Sequence, residues 1–323
     1  RFKSGSGYHY LLFVYNYNMN INNHFEEDQI YFKDLFFIAW KFKISIILVT
    51  CIAAVSSVAY SLQIPNKYKS EALMSLSESS GSTSDLSRYS GIAAMAGINI
   101  PQSGNEDKIS LAIETIKSRE IVERLIEDEM VLINLMAPKK FNWGTNNLEI
   151  NTDIYDIKNS EWVRTPSGPF KAKPSSLEAH RAFMKAVSIK RDGSFFTIAI
   201  EHISPFFAKS LLEKVITEVN NINREKDKEE SSLALEYLRN EFAKTSVNDI
   251  RQSINTIISG QLQKQMLVNV KEEYLISHID KPFVPEFKTS PNRATICIMG
   301  TIFGFIFGLI LALVRTFISK NYK

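Results

Sequence analysis

The sequence predicts an α+β membrane protein in which two transmembrane helices flank an outer domain of strands and helices carrying a long helical hairpin. Two charge-free apolar runs lie near the ends of the 323-residue chain, Ile44–Leu62 and Ala294–Val314. Each is long enough as a helix to cross about 30 Å of hydrocarbon. Between them a strand, a turn and a strand are written at Val187–Ile200. After Pro205, apolar residues keep helical spacing for about 70 residues.

The N-terminal segment, residues 1–43, begins RFKSGSGYHYLLFVYNYN, unlike the rest in composition; Met19 is the expected start, and 1–18 read as translated upstream sequence. Lys41 and Lys43 precede the first span (44–62). Arg315, Lys320 and Lys323 follow the second (294–314), in a tail over 315–323. Basic flanks mark the inner side of a membrane, so both termini are expected inside and residues 63–293 outside. Residues 63–293 hold 30 Lys+Arg and 31 Asp+Glu, leaving 8 basic and 4 acidic residues at the ends. The overall charge of +3 is therefore a topology signal. A nucleic-acid partner would need a basic stripe on a folded face, and none is expected. A cleaved signal peptide ending near Ser57-Val58-Ala59 competes for the first run, but the acidic stretch Glu26–Asp34 is a poor leader for it. Both cysteines, Cys51 and Cys297, fall inside the spans, so the outer domain must hold its core without disulfides.

Through the outer domain, Pro65 to Leu76 reads as a turn followed by a strand. Residues 77–105 have the Ser/Gly composition of a loop. Ile109, Ala112, Ile113, Ile116, Ile121, Leu125 and Ile126 keep helical spacing, with a break at Ser118-Arg119. Residues 137–174, with Pro138, Pro166, Pro169 and Pro174, read as irregular. Leu177–Val187 is a short helix. These segments make up a base domain over 63–205. The helical projection is placed at 206–280. Its polar section, Asn223–Ser232, interleaves Glu225, Asp227, Glu229 and Glu230 with Arg224, Lys226 and Lys228, as a solvated face does. Since the chain must be back at the membrane by Asn292, the helix has to turn, at Thr245–Asp249 or at Ser259-Gly260.

The return segment, 281–293, carries Pro282, Pro285, Ser290 and Pro291. Prolines cannot continue a helix, so they form a stiff extended lead-in to the second span. Gly300, Gly304 and Gly308 then recur every four residues on one face of that span. This is the pattern that lets helices approach closely, although glycine is common in membrane helices generally. Together they suggest a held, oligomeric membrane device.

On these residues the chain resembles the Wzz-type polysaccharide co-polymerases, the chain length determinants of O-antigen and related polysaccharides. The family pattern P-x2-P-x4-S-P before a glycine-spaced span stands here as Pro282, Pro285, Ser290 and Pro291, then Gly300, Gly304 and Gly308. Leu35–Trp40, Pro65–Ala72, Ala93–Ile98, Ser204-Pro205 and Met266–Tyr274 also look familial. The resemblance implies a two-pass protein of the bacterial inner membrane, both termini cytoplasmic, with a periplasmic α/β base domain and a long helical projection. It implies a homo-oligomer that sets how far a Wzy-type polymerase extends a lipid-linked glycan, with no catalytic residues.

No chemistry competes with that reading. The sequence has no G-x4-G-K-[ST] phosphate loop. His180, His202 and His278 lack metal-ligand spacing and are expected to serve packing or surface roles. The protein is therefore expected not to be an enzyme, and no cofactor or metal is expected. An export subunit working with a separate cytoplasmic tyrosine kinase is the rival; the short stretch after Val314 weighs against it.

Overall fold

The computed structural model describes residues 40–77 and 105–321. The expected start at Met19, the acidic stretch Glu26–Asp34, residues 35–39 of the Leu35–Trp40 piece, the Ser/Gly-rich loop with Ala93–Ile98, and Lys323 lie outside the described residues. The chain divides into two compact units, residues 64–292 and the two terminal segments that carry the apolar runs.

The terminal unit is a pair of helices, α1 (Lys43–Gln63) and α8 (Arg293–Asn321). Both are long and apolar enough to cross a membrane. Helix α8 runs past the expected end at Val314, because nothing between Arg315 and Asn321 breaks a helix. Ile46 and Ala312 are buried, while Ile47, Ile52, Val55, Phe303, Phe307 and Ile310 are exposed. Small residues inside and large apolar residues outside invert the soluble pattern and suit lipid. The hydroxyls of Thr50, Ser57 and Thr301 donate to carbonyls of their own helices, at 2.8 Å each.

The other unit is built on an antiparallel sheet of order β6-β7-β1-β8, with β9 also on β1. Its strands are β1 (Lys67–Leu76), β6 (Val187–Asp192), β7 (Phe195–His202), β8 (Ile276–Asp280) and β9 (Lys288–Ser290). Strand β1 alternates in burial, with Tyr68, Ser70, Ala72 and Met74 facing inward. The register sets these four opposite His202, Ile200, Ile198 and Phe196 of β7, so one face of the sheet is continuous core. Strands β6 and β7 meet in a tight turn where Gly193 takes φ +58.

Helices cover that face. Helix α2 (Asn105–Lys117) ends where Ser118 caps α3 (Arg119–Leu125), its Oγ accepting the Ile121 N–H. Asp128 caps α4 (Glu129–Met136). Ser175 and Glu178 form a reciprocal capping box on α5 (Ser176–Ala186). Ile109, Ile116, Ile121 and Phe183 from these helices meet Leu211, Leu212, Val215, Ile216 and Val219 of α6 (Pro205–Lys244) in the core.

Residues 137–174 are more ordered than an irregular reading allows. They contain two small hairpins, β2 (Pro138–Asn142) with β3 (Asn147–Ile150), and β4 (Tyr155–Asp156) with β5 (Glu161–Trp162). The strands are too short and too broken by turns to show a period-two pattern. After them Arg164 pins the proline-rich stretch. Its guanidinium bonds both Glu178 oxygens, at 2.8 and 2.9 Å, and the carbonyls of Lys171 and Ala172.

Ser204 caps α6, with Pro205 in its first turn, where a missing N–H costs nothing. The helix runs 40 residues, about 60 Å, and ends at Lys244. Thr245, Ser246 and Val247 make the turn into α7 (Asn248–Val270). The helical projection does not reach residue 280 as expected. Helix α7 ends at Val270, and Ile276–Asp280 is strand β8, antiparallel to β1. Helical spacing carried through Tyr274 by coincidence, because Tyr274, Leu275 and Ile276 are buried for reasons of sheet packing.

Candidate functional site

Two groups of residues carry the sequence reading, one in each unit. In the sheet unit, Pro282 and Pro285 are buried, and Ser290 and Pro291 are half-buried. The return segment lies along the edge of β1. Strand β8 pairs with Leu73–Leu76, and β9 pairs with Lys67 and Tyr68. An unbroken ladder from the Leu73–Asp280 pair would bring residue 285 opposite Tyr68, but Lys288 stands there. Prolines have no N–H to give a ladder, so the chain bulges past Pro282 and Pro285 before pairing again. One bond holds the bulge: the buried Ser70 hydroxyl donates to the Phe283 carbonyl at 2.7 Å. The Ser290 hydroxyl bonds the Glu201 carboxylate, and the Ser290–Pro291 peptide is cis. Of the four motif residues, Pro282 and Pro285 are thus buried, and Ser290 pairs with β1 and bonds β7.

In the helix pair, the glycine face of α8 lies against α1 of the same chain. A Cβ on Gly300 would collide with the Ser57 side chain, and one on Gly304 with the Ala53 Cβ. At Gly308 it would stand 3.3 Å from the Ile46 Cα. The glycine face, expected from its spacing to serve transmembrane helix packing, thus lies against α1 of the same chain. Spacing alone does not say which helix a small-residue face meets.

The polar section of α6 also departs from the solvated-face reading. Glu225, Lys226, Lys228, Glu229 and Glu230 are exposed, but Arg224 and Asp227 are half-buried. With Asn220 they form a column at helical spacing that seizes the chain where α7 ends. The Asn220 side chain accepts the N–H groups of Leu275 and Ile276, at 2.8 and 3.0 Å, and donates to the Ile276 carbonyl at 3.1 Å. Arg224 donates to the carbonyls of Lys271 and Glu272, at 2.7 and 2.6 Å. Asp227 accepts Tyr274 Oη at 2.5 Å and Lys264 Nζ at 2.7 Å. Burial and the neighbouring Asp227 carboxylate push the Tyr274 phenol far above its ordinary range, so it stays a donor. Even the exposed pair is engaged: Glu225 meets Arg124 at 2.6 Å and Lys226 meets Glu120 at 3.2 Å. The polar section is therefore tied to the sheet unit, and the free hairpin begins beyond it. Periodicity cannot separate such a column from a wet face, because both are polar residues at helical spacing.

The histidines fall as packing groups. His202 is buried, its Nδ1 accepting the Ser204 N–H at 3.1 Å and its Nε2 donating to the Asn134 carbonyl at 3.0 Å. Burial pushes it down to about 4, so it is neutral. His180 bonds the Lys117 carbonyl and His278 the Glu273 carboxylate. Among the described residues no three His, Cys, Asp or Glu side chains gather as a metal set.

Residues 28–129 match the family model described as "Wzz: Chain length determinant protein". The comparison with curated proteins returns no match. A solved structure of a full-length bacterial polysaccharide co-polymerase is similar at 13% identity and a TM-score of 0.37, covering 90% of this chain and 98% of that one. A fragment of WzzB, a polysaccharide co-polymerase from Salmonella Typhimurium, is similar at 14% identity and a TM-score of 0.29, covering 70% of this chain and all of that one. Over residues 28–129, from before the first apolar helix to the start of α4, the chain is similar to the Wzz chain length determinant family.

Proposed function

We propose that the protein is a non-enzymatic regulator of surface polysaccharide chain length, of the O-antigen type. It acts as a homo-oligomeric scaffold in the bacterial inner membrane, beside a Wzy-type polymerase working on a lipid-linked glycan. The observation that carries this reading is the chain length determinant match over residues 28–129. In it, residues 1–43 and 315–323 are cytoplasmic, 44–62 and 294–314 span, and 63–205 form a periplasmic base. Beyond the polar section of α6 the chain projects as the hairpin, and 281–293 return it to the membrane.

Two further features support the scaffold. The hairpin leaves Leu233, Tyr237, Ile250, Leu262 and Met266 exposed on a structure with no other core to join, which suits contact with neighbouring copies. The proline segment is fastened to the central strand, which suits an orienting role between membrane and base. Deleting the protein and comparing glycan ladders on a gel tests the function. Loss of the modal band with polymer still made supports it. An unchanged ladder overturns it, and loss of all surface polymer favours an export subunit.

A further inference from the structure

One end of the sheet gathers exposed aromatic rings. Tyr68 opens β1 there, and its ring meets Trp143 edge-on at 5.4 Å while its hydroxyl accepts the indole N–H at 2.7 Å. Trp143 is 6.5 Å from Phe206, at the start of α6, and both stand on the buried Phe141. From the return segment, Phe287 precedes Lys288, the residue paired with Tyr68. Trp143 is 46% exposed, Phe206 42% and Phe287 84%. Lys67 precedes Tyr68, Lys140 precedes Phe141 and Lys288 follows Phe287, all three exposed.

Folding within the domain does not need these rings on the surface, and Trp143 uses its only donor to stay where it is. Exposed Trp and Phe among lysines are the composition of a membrane–water boundary. There an indole or phenyl ring sits at the headgroup level, and lysine meets lipid phosphate. Connectivity names the same occupant. Only Ile64–Asn66 join α1 to β1, and only Pro291 and Asn292 join β9 to α8. Extended chain reaches at most about 3.6 Å per residue, so both links between this end of the sheet and the apolar helices are short. The opposite end of β1, at Leu76, is where Asn220 of α6 holds Ile276, and the hairpin leaves from there.

We propose that the Tyr68 end of the sheet is a lipid-docking surface. Trp143, Phe206 and Phe287 enter the headgroup layer, and Lys67, Lys140 and Lys288 lie on anionic phosphate. This rests on α1 and α8 being membrane spans, and not on the polysaccharide role.

The test uses the full chain in vesicles containing phosphatidylglycerol, with acyl chains plain or brominated near the headgroup. Trp40→Phe with Trp162→Phe leaves Trp143 as the single emitter. The Trp162 indole N–H has no hydrogen-bond partner among the described residues, so phenylalanine there forfeits none of those. Trp143→Phe with Trp162→Phe leaves Trp40, which reports insertion. Trp143 is expected to be quenched by bromine by a factor comparable to Trp40. Trp40 quenched with Trp143 unchanged overturns the docking surface, whether Trp143 is then open to aqueous acrylamide or covered by another copy. Trp40 unquenched overturns the spans and the docking together. A nitroxide on Phe287→Cys, in a Cys51→Ala, Cys297→Ala background, gives a second readout. It should be shielded from a water-soluble relaxant in vesicles; free access overturns the proposal.

Discussion

His202 shows how much a single buried group contributes at the residue scale. Its two ring nitrogens join the cap of α6 to the carbonyl of Asn134, and the bond that Nδ1 accepts from Ser204 requires the neutral ring. Its pKa is held at about 4, below the ordinary 6.5. A depressed histidine favours the folded state above 6.5, and that contribution is lost as pH falls from about 6.5 to about 4, because the unfolded chain takes up the proton first. Two to three pKa units amount to roughly 3 kcal/mol. Urea unfolding of the full chain in detergent should lose stability over that window, and His202→Gln should flatten the slope while lowering the plateau. At still lower pH, Glu178, which Arg164 holds down at about 2, adds its own loss as it protonates. Sequence reading expected packing or surface roles for His180, His202 and His278, and each is hydrogen-bonded within the sheet unit. It could not say which was buried, because His202 is placed by the β7 register rather than by its neighbours.

At the scale of elements, two interfaces make opposite demands. The clamp between α6 and the start of β8 needs polar atoms in place. Asn220→Ala would strand the Leu275 N–H and Ile276 groups it now satisfies, costing on the order of 2–3 kcal/mol of stability. Asn220→Asp would keep the acceptor and recover part of it. Chemical unfolding monitored by circular dichroism reads both. The α1–α8 pair needs the absence of atoms. Gly304→Leu cannot sit against Ala53 and Thr50 without parting the helices, and should lower the thermal midpoint in detergent. Gly144→Leu, on the exposed β2–β3 turn, should leave it unchanged. Elements with local punctuation could be read directly: Ser118 starts α3, Gly193 turns β6 into β7, and a proline-free run after Pro205 gives α6. The small hairpins of 138–162 could not, since their strands are two to five residues long and are held by contacts such as Tyr155 on Trp162. Strand β8 was hidden because its partner β1 lies about 200 residues earlier, outside any local window.

At the scale of the whole molecule, the proline segment joins sheet and membrane chemistry. Replacing Pro282, Pro285 and Pro291 by alanine should alter the glycan ladder while leaving membrane insertion intact. Ladders of unchanged length, with protein present at normal level, would remove the orienting role. What sequence conveyed at this scale was an order of parts: span, strand, helices, hairpin, return, span. It did not convey that the polar stretch of α6 belongs to the base, because its partners come from two distant segments, Glu120 and Arg124 of α3 and the 271–276 backbone.

Helix α6 also has a mechanical consequence. After Pro205 it contains neither glycine nor proline, so nothing along it invites a kink, whereas α7 has Gly260 and the turn at Thr245–Val247. Its first turns are embedded in the core, and the Asn220 column grips it near the middle. From Asn220 to Lys244 is about 36 Å of stiff rod. Such a rod is a lever with its fulcrum at Asn220. A push at the turn between the two helices would load first the Asp227, Arg224 and Asn220 contacts that hold α6 to the 264–276 stretch.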